Sequence, residues 1–224
     1  METQKYDPQP SGAKLVVLEE SRVRVFSLDA RQRWLLGREV RSTASPDVPL
    51  HSRIVSRQHG WLMRVDEEWY YVDNPRNMNG IFLNGRRIER PLSGTRKPVT
   101  LRDGDVLRID GNEGTQGPES VVMLFTTRTV RGNWAVYPLE GMEELVIGRN
   151  ADCGLVRREQ EISGRHAKLT CLNGRFYLSD CGSRAGTVLN GEKINCPVAL
   201  REKDHFSICG GNYFFLKDRL LYER

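Results

Sequence analysis

Short apolar or alternating stretches recur along the whole chain, and turn-forming Gly, Pro, Asn and Asp separate them. This pattern is typical of β-strands, and no stretch of useful length shows the 3.6-residue period of an amphipathic helix. The predicted strands are Lys14–Leu18, Val23–Ser27, Arg33–Leu36, Gly60–Val65, Trp69–Val72, Ile81–Leu83, Val106–Ile109, Val121–Thr126, Trp134–Pro138, Glu144–Ile147, Ala167–Cys171, Phe176–Ser179, Thr187–Leu189, His205–Ile208 and Tyr213–Lys217. Many short strands at close spacing predict an all-β chain of the β-sandwich type.

The second half of the chain repeats landmarks of the first half in the same order. The offset between matching positions is 111 at a Gly-Arg pair, 107 at a His, 106 at an Asn-Gly pair and 99 at an Asp. The matching residues are Arg38 and Arg149, His59 and His166, Asn84 and Asn190, and Asp105 and Asp204. An ordered repeat of this length indicates two copies of one module.

The repeat also sets the domain organisation. We predict a flexible leader at 1–12, a first β-sandwich at 13–127 and a second at 131–222, joined by a short linker. The falling offset places longer surface loops in the first module, between Arg38 and Ser56 and between Ile88 and Leu101. Asn84-Gly85 and Asn190-Gly191 each lie between apolar stretches, which predicts type I′ hairpins because both turn residues need a positive φ.

Composition excludes several classes of protein. The 224 residues are 38% hydrophobic and 28% charged, enough to bury a core. Apolar runs such as Val121–Phe125 are far shorter than the ~20 residues of a membrane span, and the chain begins without an apolar signal segment. We therefore expect a cytoplasmic protein without direct membrane insertion. The net charge of +5 is spread along the chain without a Lys/Arg cluster, so we do not expect nucleic acid as a partner.

Five cysteines all lie in the second half, and no Cys-x-x-Cys pair is present. This predicts reduced, mostly buried thiols and no zinc site. We expect neither a metal nor a cofactor.

The repeated Ser and His allow two interpretations. The first is a nucleophile and its base, but residues three apart on a strand point to opposite faces, and no matched acid orients the His. The second is an anion site, in which an Arg fork binds phosphate in a bidentate manner while a Ser hydroxyl and loop N–H groups complete the cradle. The ordered set, present twice, favours the anion site.

The order Gly-Arg, Ser-x-x-His and Asn-Gly-x-x-x-Asn-Gly resembles that of the forkhead-associated (FHA) domain, here as two tandem copies of the bacterial type that cover nearly the whole chain. The resemblance implies two eleven-stranded β-sandwiches that read phosphothreonine peptides through loops at one end. It implies no enzyme activity, and it implies partners that contain phosphothreonine, a Ser/Thr kinase or its substrates among them.

The resemblance also implies roles for individual residues. In the first module Arg38 and Ser56 would hold the phosphate, Arg57 would lie against the peptide, and Asn79 would bond the peptide backbone. In the second module Arg149, Ser163, Gly164 and Arg184 take the matching positions. The residues that would shape the two pockets are Gly37, His59, Gly80, Gly148, His166 and Gly186.

Three positions depart from the family pattern. Met78 replaces a hydroxyl residue that contributes a phosphate contact, which predicts weakened binding in the first module. Arg184 and Ala185 stand where Thr-Asn is usual, so the second module loses a peptide contact worth about 0.5–1.5 kcal/mol. The alternative is a phosphate-independent docking module, similar to the tandem FHA region of type VII secretion ATPases, within a larger membrane-associated protein.

Overall fold

The computed structural model describes residues 12–28, 31–40, 44–89, 97–111, 116–128 and 133–224. The chain divides into two compact units, Met1–Thr115 with Glu119–Val130 and Gln116–Pro118 with Arg131–Arg224. All but one residue of the predicted leader and much of the predicted linker lie outside the described residues, as do parts of both longer loops. Every regular element that the structure describes is a strand, and none is a helix that could span a membrane.

Within its described residues the first unit contains eleven strands in two sheets. One sheet has the order β2-β1-β11-β10-β7-β8 and the other β4-β3-β5-β6-β9. The strands are β1 (Lys14–Glu19), β2 (Arg22–Ser27), β3 (Arg33–Arg38), β4 (Val48–Leu50), β5 (Gly60–Val65), β6 (Glu68–Asp73), β7 (Phe82–Leu83), β8 (Arg86–Arg87), β9 (Val99–Leu101), β10 (Val106–Ile109) and β11 (Val121–Thr126). Apolar side chains of both sheets form one core, in which Trp69 packs on Trp34 and Phe125 at centroid distances of 5.2 and 5.5 Å.

The described part of the second unit also forms eleven strands, in sheets of six and five. The orders are β12-β22-β21-β20-β17-β18 and β14-β13-β15-β16-β19. The strands are β12 (Trp134–Pro138), β13 (Glu144–Gly148), β14 (Leu155–Val156), β15 (Ala167–Leu172), β16 (Arg175–Asp180), β17 (Thr187–Leu189), β18 (Glu192–Lys193), β19 (Val198–Ala199), β20 (His205–Ile208), β21 (Gly211–Leu216) and β22 (Arg219–Glu223). The predicted all-β fold with two β-sandwiches is confirmed.

The two units differ in the strand that completes the larger sheet. In the first unit, β1 lies between β11 and β2 and comes from the start of the module. In the second unit, the same place between β21 and β12 is taken by β22 from the end of the module. The second module is therefore a circular permutation of the first. β22 was not predicted from the sequence, because the aligned landmarks of the repeat all precede it.

Both Asn-Gly hairpins form as predicted. Asn84 and Gly85 have φ values of 49° and 77°, and Asn190 and Gly191 have 48° and 85°. The hairpins join β7 to β8 and β17 to β18. In each module the Asn side chain also donates to the Asp that directly precedes a later strand, β10 or β20. Asn84 Nδ2 donates to Asp105 Oδ1 at 2.8 Å, and Asn190 Nδ2 donates to Asp204 Oδ1 at 2.9 Å. The repeated Asn and Asp thus have a structural role.

The prediction of mostly buried cysteines is wrong. All five thiols are free, but only Cys153 is buried, and Cys181 and Cys196 are exposed. Cys181 lies just after β16 and Cys196 just before β19, where the chain has left the sheet. Among the described residues no cluster of three or more His, Cys, Asp or Glu could hold a metal ion.

One buried histidine makes the stability of the second module depend on pH. His205 lies in β20, donates from Nε2 to Asn212 Oδ1 at 3.0 Å and packs on Phe214. Burial lowers the pKa of His205 to about 4, although the bond to Asn212 opposes the shift. The unfolded chain binds this proton near pH 6.5, so between these values the unfolded state binds more protons.

We therefore expect the free energy of unfolding to fall as pH drops from about 6.5 to about 4, by up to about 3 kcal/mol. Urea unfolding of the full chain at several pH values in this range measures the slope. The His205→Gln variant should show a flatter dependence. An equal slope in both proteins would show that other groups dominate the acid response.

Candidate functional site

The loops that carry the repeated polar residues meet at one end of each module. In the first module β3 ends at Arg38, β5 begins after the loop 51–59, and the loop 74–81 joins β6 to β7. The Arg38 amide donates to Ser56 O at 3.0 Å, and Arg149 donates to Ser163 O at the same distance in the second module. The strand end and the first loop are therefore held together by their backbones.

A glycine before each Arg makes this approach possible. A Cβ atom on Gly37 would lie 1.9 Å from the carbonyl oxygen of Arg57, and one on Gly148 would lie 2.3 Å from that of Gly164. Any side chain at these positions would push the loop away from the strand. In each Gly-Arg pair, the glycine lets the strand end approach the loop closely, and the arginine side chain that follows is thereby held beside that loop.

The Arg38 guanidinium is the distinctive feature of the first module. Its Nε atom is buried and has no hydrogen-bond partner among the described residues. A buried donor left in this state costs about 1–3 kcal/mol, which a bound anion would recover. In the second module Arg149 Nε instead donates to Ile162 O at 3.3 Å. The two modules therefore differ in whether the Nε of the arginine has a hydrogen-bond partner.

The repeated Ser side chains link the first loop to the next. Ser56 Oγ accepts from the Met78 amide at 3.3 Å, and Ser163 Oγ accepts from the Arg184 amide at 3.2 Å. Neither hydroxyl donates its own proton to an acceptor within the described ranges. Each hydroxyl can therefore donate to an anion without breaking a bond of the fold.

The repeated His side chains hold these loops in place. Buried His59 accepts at Nδ1 from the Ser56 amide at 3.2 Å and donates from Nε2 to Gly80 O at 3.0 Å. His166 makes the same two bonds, to Ser163 and Gly186, at 3.2 Å each. The Nδ1 lone pair of His59 faces a backbone amide and not the Ser56 hydroxyl. This geometry supports a structural role over that of a base.

Removal of the His59 ring should weaken the first module. The His59→Ala variant leaves a buried carbonyl and a loop amide without their partners, which predicts a loss of about 2–4 kcal/mol of stability. Urea unfolding measures it. The matched control is His51→Ala, because His51 is exposed and lies 3.6 Å from Glu39, so its loss should cost less than about 0.5 kcal/mol. Similar values for the two variants would contradict the role given to His59.

The second loop is held by side chains that the sequence analysis did not identify. Buried Asn77 donates to His59 O at 2.8 Å and to Asp73, and it accepts from the Gly80 amide at 3.1 Å. Gly80 has a φ of 69°, and Gly186 of 83°, in the left-handed region that favours glycine. Ser183 takes this position in the second module and accepts from the Gly186 amide at 2.9 Å, so the support recurs although the side chain differs.

An acid supports one of the site loops in each module. In the second module Asp180 accepts from the hydroxyls of Ser183 and Thr187 at 2.7 and 2.8 Å. Burial alone would raise the pKa of Asp180, but these hydrogen bonds outweigh it, and the pKa lies below its usual value. In the first module Glu19 holds the first loop by accepting from the His51 and Ser52 amides at 2.8 and 2.6 Å.

Asn79 is more constrained than expected. Its Nδ2 donates to Ile54 O at 2.7 Å, which joins the second loop to the first. The Oδ1 atom has no donor in the described part of the chain, so it is the atom that could meet a peptide. Ala185 stands at this position in the second module and lacks the amide.

The remaining predicted residues lie on the two loops. Arg57 and Met78 are exposed, Met78 with 78% of its surface accessible. In the second module Gly164 takes the place of Arg57, and exposed Arg184 lies close enough to Cys209 for its charge to act on that thiol. A cavity of about 350 Å³ opens beside the loop that carries Arg184, lined by Asp180, Ser183, Gly186, Lys193 and Cys196 among others.

The hairpin tips lie away from this site. β7 runs antiparallel to β10, with Phe82 opposite Arg108 and Leu83 opposite Leu107, so Asn84 and Gly85 extend toward the opposite end of the module. This Asn-Gly turn therefore lies outside the candidate anion site. Arg87 on β8 returns to the site end, where Nη2 donates to Asn79 O at 3.1 Å.

Comparisons with known proteins agree with this architecture. The model of the FHA domain family matches residues 34–110 and 145–209. The transcriptional regulatory protein EmbR of Mycobacterium tuberculosis is 28% identical over 134 residues, which cover 59% of this chain and 33% of EmbR. The E3 ubiquitin-protein ligase DMA2 of Saccharomyces cerevisiae is 29% identical over 121 residues, 48% of this chain and 23% of DMA2. The chain thus spans a third or less of these relatives.

Two bacterial proteins are among the solved structures that match this chain. The N-terminal FHA domain of EssC, a component of the type VII secretion apparatus, is 16% identical, covers 94% of this chain and 90% of that one, and has a TM-score of 0.37. M. tuberculosis EmbR in complex with a low-affinity phosphopeptide is 22% identical over 38% of this chain and 24% of that one, with a TM-score of 0.34. By its two family matches, the chain belongs to the FHA domain family, whose members are non-enzymatic modules that bind phosphothreonine peptides.

Proposed function

We propose that the first module binds phosphothreonine in the targets of a Ser/Thr kinase, and that the chain acts as an adaptor in cytoplasmic signalling. The second module has the same scaffold and a weaker or absent phosphate site. Phosphothreonine-containing proteins, including the kinase or its substrates, are the partners that this function requires.

The observation that carries the proposal is the buried Arg38 Nε without a partner. A phosphate carries about −1.5 to −2 charges at pH 7 and three acceptor oxygens, so it can satisfy this donor and a second guanidinium nitrogen at once. The Ser56 hydroxyl lies on the adjacent loop, whose backbone contacts Arg38, and it can donate a further bond. A bound phosphate would thus supply the hydrogen bond that Arg38 Nε lacks in the unliganded protein.

Other residues of the loops would receive the peptide around the phosphate. Asn79 Oδ1 can accept from a peptide amide, because only its Nδ2 is used in the fold. Arg57 is exposed beside Ser56 and can lie against the peptide chain. Met78 offers its backbone amide to Ser56 but no hydroxyl to the phosphate, which predicts modest affinity.

The second module differs at each of these points. Arg149 already donates to Ile162 O, Gly164 replaces Arg57, and Ala185 cannot accept from a peptide. Arg184 adds a cation at the position of Met78, but its charge also acts toward Cys209. We therefore assign the main phosphate-dependent binding to the first module.

The proposal is tested by fluorescence anisotropy with a degenerate phosphothreonine peptide library and its unphosphorylated twin. The full wild-type chain should bind the phosphorylated library and show little binding to the twin. Equal binding to both libraries, or binding to neither, would contradict a phosphothreonine reader.

A second candidate function is phosphate-independent docking. It is favoured by the highly exposed Met78, the exchange of Thr-Asn for Arg184 and Ala185, and the polar cavity beside the second module's loop. A protein partner that binds equally well after phosphatase treatment would support this candidate, and loss of binding after that treatment would support the phosphate reader.

A further inference from the structure

The two candidate sites differ strongly in charge. In the first module the loop stretches 51–58 and 74–80 contain three arginines and no Asp or Glu. The matching stretches of the second module, 158–165 and 181–186, also contain three arginines, but Glu159 and Glu161 accompany them. The first site thus presents positive charge without acids on the same loops.

Four exposed arginines lie on or beside the loops of the first site, and we call them the arginine rim: Arg53, Arg57, Arg76 and Arg87. Arg53 precedes Ile54, whose carbonyl accepts from Asn79, and Arg57 follows Ser56. Arg76 donates its backbone amide to Asn74 Oδ1 at 2.9 Å in the second loop. Each member is therefore fixed by its backbone or its side chain to the loops that hold Arg38.

Most of the rim is not neutralised within the described residues. No ion pair is found there for the side chains of Arg53, Arg57 or Arg76. Arg87 donates to Asn79 O and stacks over Phe82, contacts that leave its charge uncompensated. Glu39, which follows Arg38, contacts Ser45 and His51 instead.

In the second module, two arginines in or beside the matching region form ion pairs. Arg165 pairs with Asp152 at 3.4 Å and with Glu144 at 3.9 Å. Buried Arg157, close by in sequence, pairs with Glu159 at 2.5 Å and stacks on two tyrosine rings. Acids thus compensate Arg157 and Arg165, whereas Arg158 and Arg184 are exposed like the arginines of the rim.

We propose that the first site selects phosphothreonine peptides in which Asp or Glu residues flank the phosphothreonine. This inference rests on the proposed function, because the phosphate fixes the peptide over Arg38 and brings its flanks to the rim. One phosphate cannot engage all five arginines, so the remaining four favour additional acids on the ligand. Exposed charge pairs contribute modestly each, and several together predict about a tenfold preference.

The test compares four fluorescent peptides of equal length on the full chain. Two carry a central phosphothreonine with either Asp and Glu or Asn and Gln as flanks, and two are their unphosphorylated twins. We expect the acidic phosphopeptide to bind about tenfold more tightly than the neutral one at low salt. The preference should shrink as the salt concentration rises, because exposed charges are screened.

Two variants test which arginines cause the preference for acidic flanks. The Arg76→Gln/Arg87→Gln double variant should reduce the ratio of acidic to neutral affinity several-fold. The matched control is the Arg33→Gln/Arg102→Gln double variant, which removes two exposed arginines at the end of the sheets opposite the site and should leave the ratio unchanged. An equal fall in both proteins would overturn the proposal, because net charge alone would then explain it.

Three further outcomes would overturn the inference. Equal affinity for the acidic and neutral phosphopeptides would reject acidic selection but leave the phosphothreonine function intact. Equally tight binding of the unphosphorylated acidic peptide would reject both. Displacement of the acidic phosphopeptide by duplex DNA at equal charge concentration would show a general polyanion surface.

Discussion

The Arg38→Ala variant should lose phosphate-dependent binding almost completely. Charge-assisted hydrogen bonds contribute about 1.5–3 kcal/mol each, and a bidentate guanidinium makes two, so we expect affinity for phosphothreonine peptides to fall by about 100-fold or more. Fluorescence anisotropy of the phosphorylated and unphosphorylated libraries measures the loss. The fold should persist, because Arg38 Nε has no partner among the described residues that its removal would strand.

The Arg149→Ala variant is the matched control for Arg38→Ala. Arg149 occupies the same place in the second module, but its Nε is bonded to Ile162 O. We expect its loss to change affinity for singly phosphorylated peptides by less than about threefold, within the scatter of a surface substitution. If Arg149→Ala removed binding while Arg38→Ala did not, the assignment of the two modules would be reversed. Loss in both would indicate two working sites that act together on doubly phosphorylated partners.

The Gly37→Ala variant should have the second largest effect. Its Cβ would lie 1.9 Å from Arg57 O, and the contact is with backbone, which cannot rotate away as a side chain can. We expect the loop that carries Ser56 and Arg57 to move, at a cost of about 1–3 kcal/mol in stability. Because Arg38 and Ser56 would then be misplaced relative to each other, peptide affinity should fall at least about tenfold. Urea unfolding and anisotropy measure the two effects.

The control for this variant is Gly148→Ala in the second module. It creates the same kind of contact, 2.3 Å from Gly164 O, and should lower stability to a similar extent. Its affinity for singly phosphorylated peptides should stay near that of the wild type. A Gly37→Ala protein that binds as tightly as the wild type would show that the loop position is not needed for recognition.

Much of the fold could be predicted from the sequence because its determinants are local. Strands such as Gly60–Val65 and Val121–Thr126 have their bounds set by apolar runs and turn residues, and the observed β5 and β11 match them. The Asn-Gly hairpins form because these residues adopt positive φ at little cost. The repeat fixed the number of modules.

Features that depend on distant pairing were not predictable in this way. The short parallel strands β4 and β14 are defined by their partners β3 and β13, since runs of two or three residues carry no periodic signal. β22 pairs with strands from both ends of its module, and nothing local in Arg219–Glu223 reveals that this strand replaces one from the start of the first module.

The residues of the candidate site also divide into those that the sequence could predict and those that it could not. Arg38, Ser56 and His59 were found because they recur at matching positions, and the structure places them on adjacent elements. Asn77 was missed because its counterpart is Ser183, a different side chain with the same hydrogen-bonding role. The free state of Arg38 Nε, and the occupied state of Arg149 Nε, depend on side-chain positions that no sequence pattern records.

The most direct test of the first module as the phosphothreonine reader is an NMR titration of the ¹⁵N-labelled full chain with a phosphothreonine peptide. Arginine Nε–H groups give their own signals, so Arg38 and Arg149 can be observed separately once assigned by substitution. We expect the Arg38 Nε–H signal and the Ser56 and Met78 amides to shift on addition of peptide, while the signals of Arg149 and Ser163 remain in place. Shifts confined to the second module, or an Arg38 Nε–H signal unchanged at saturation, would contradict the account.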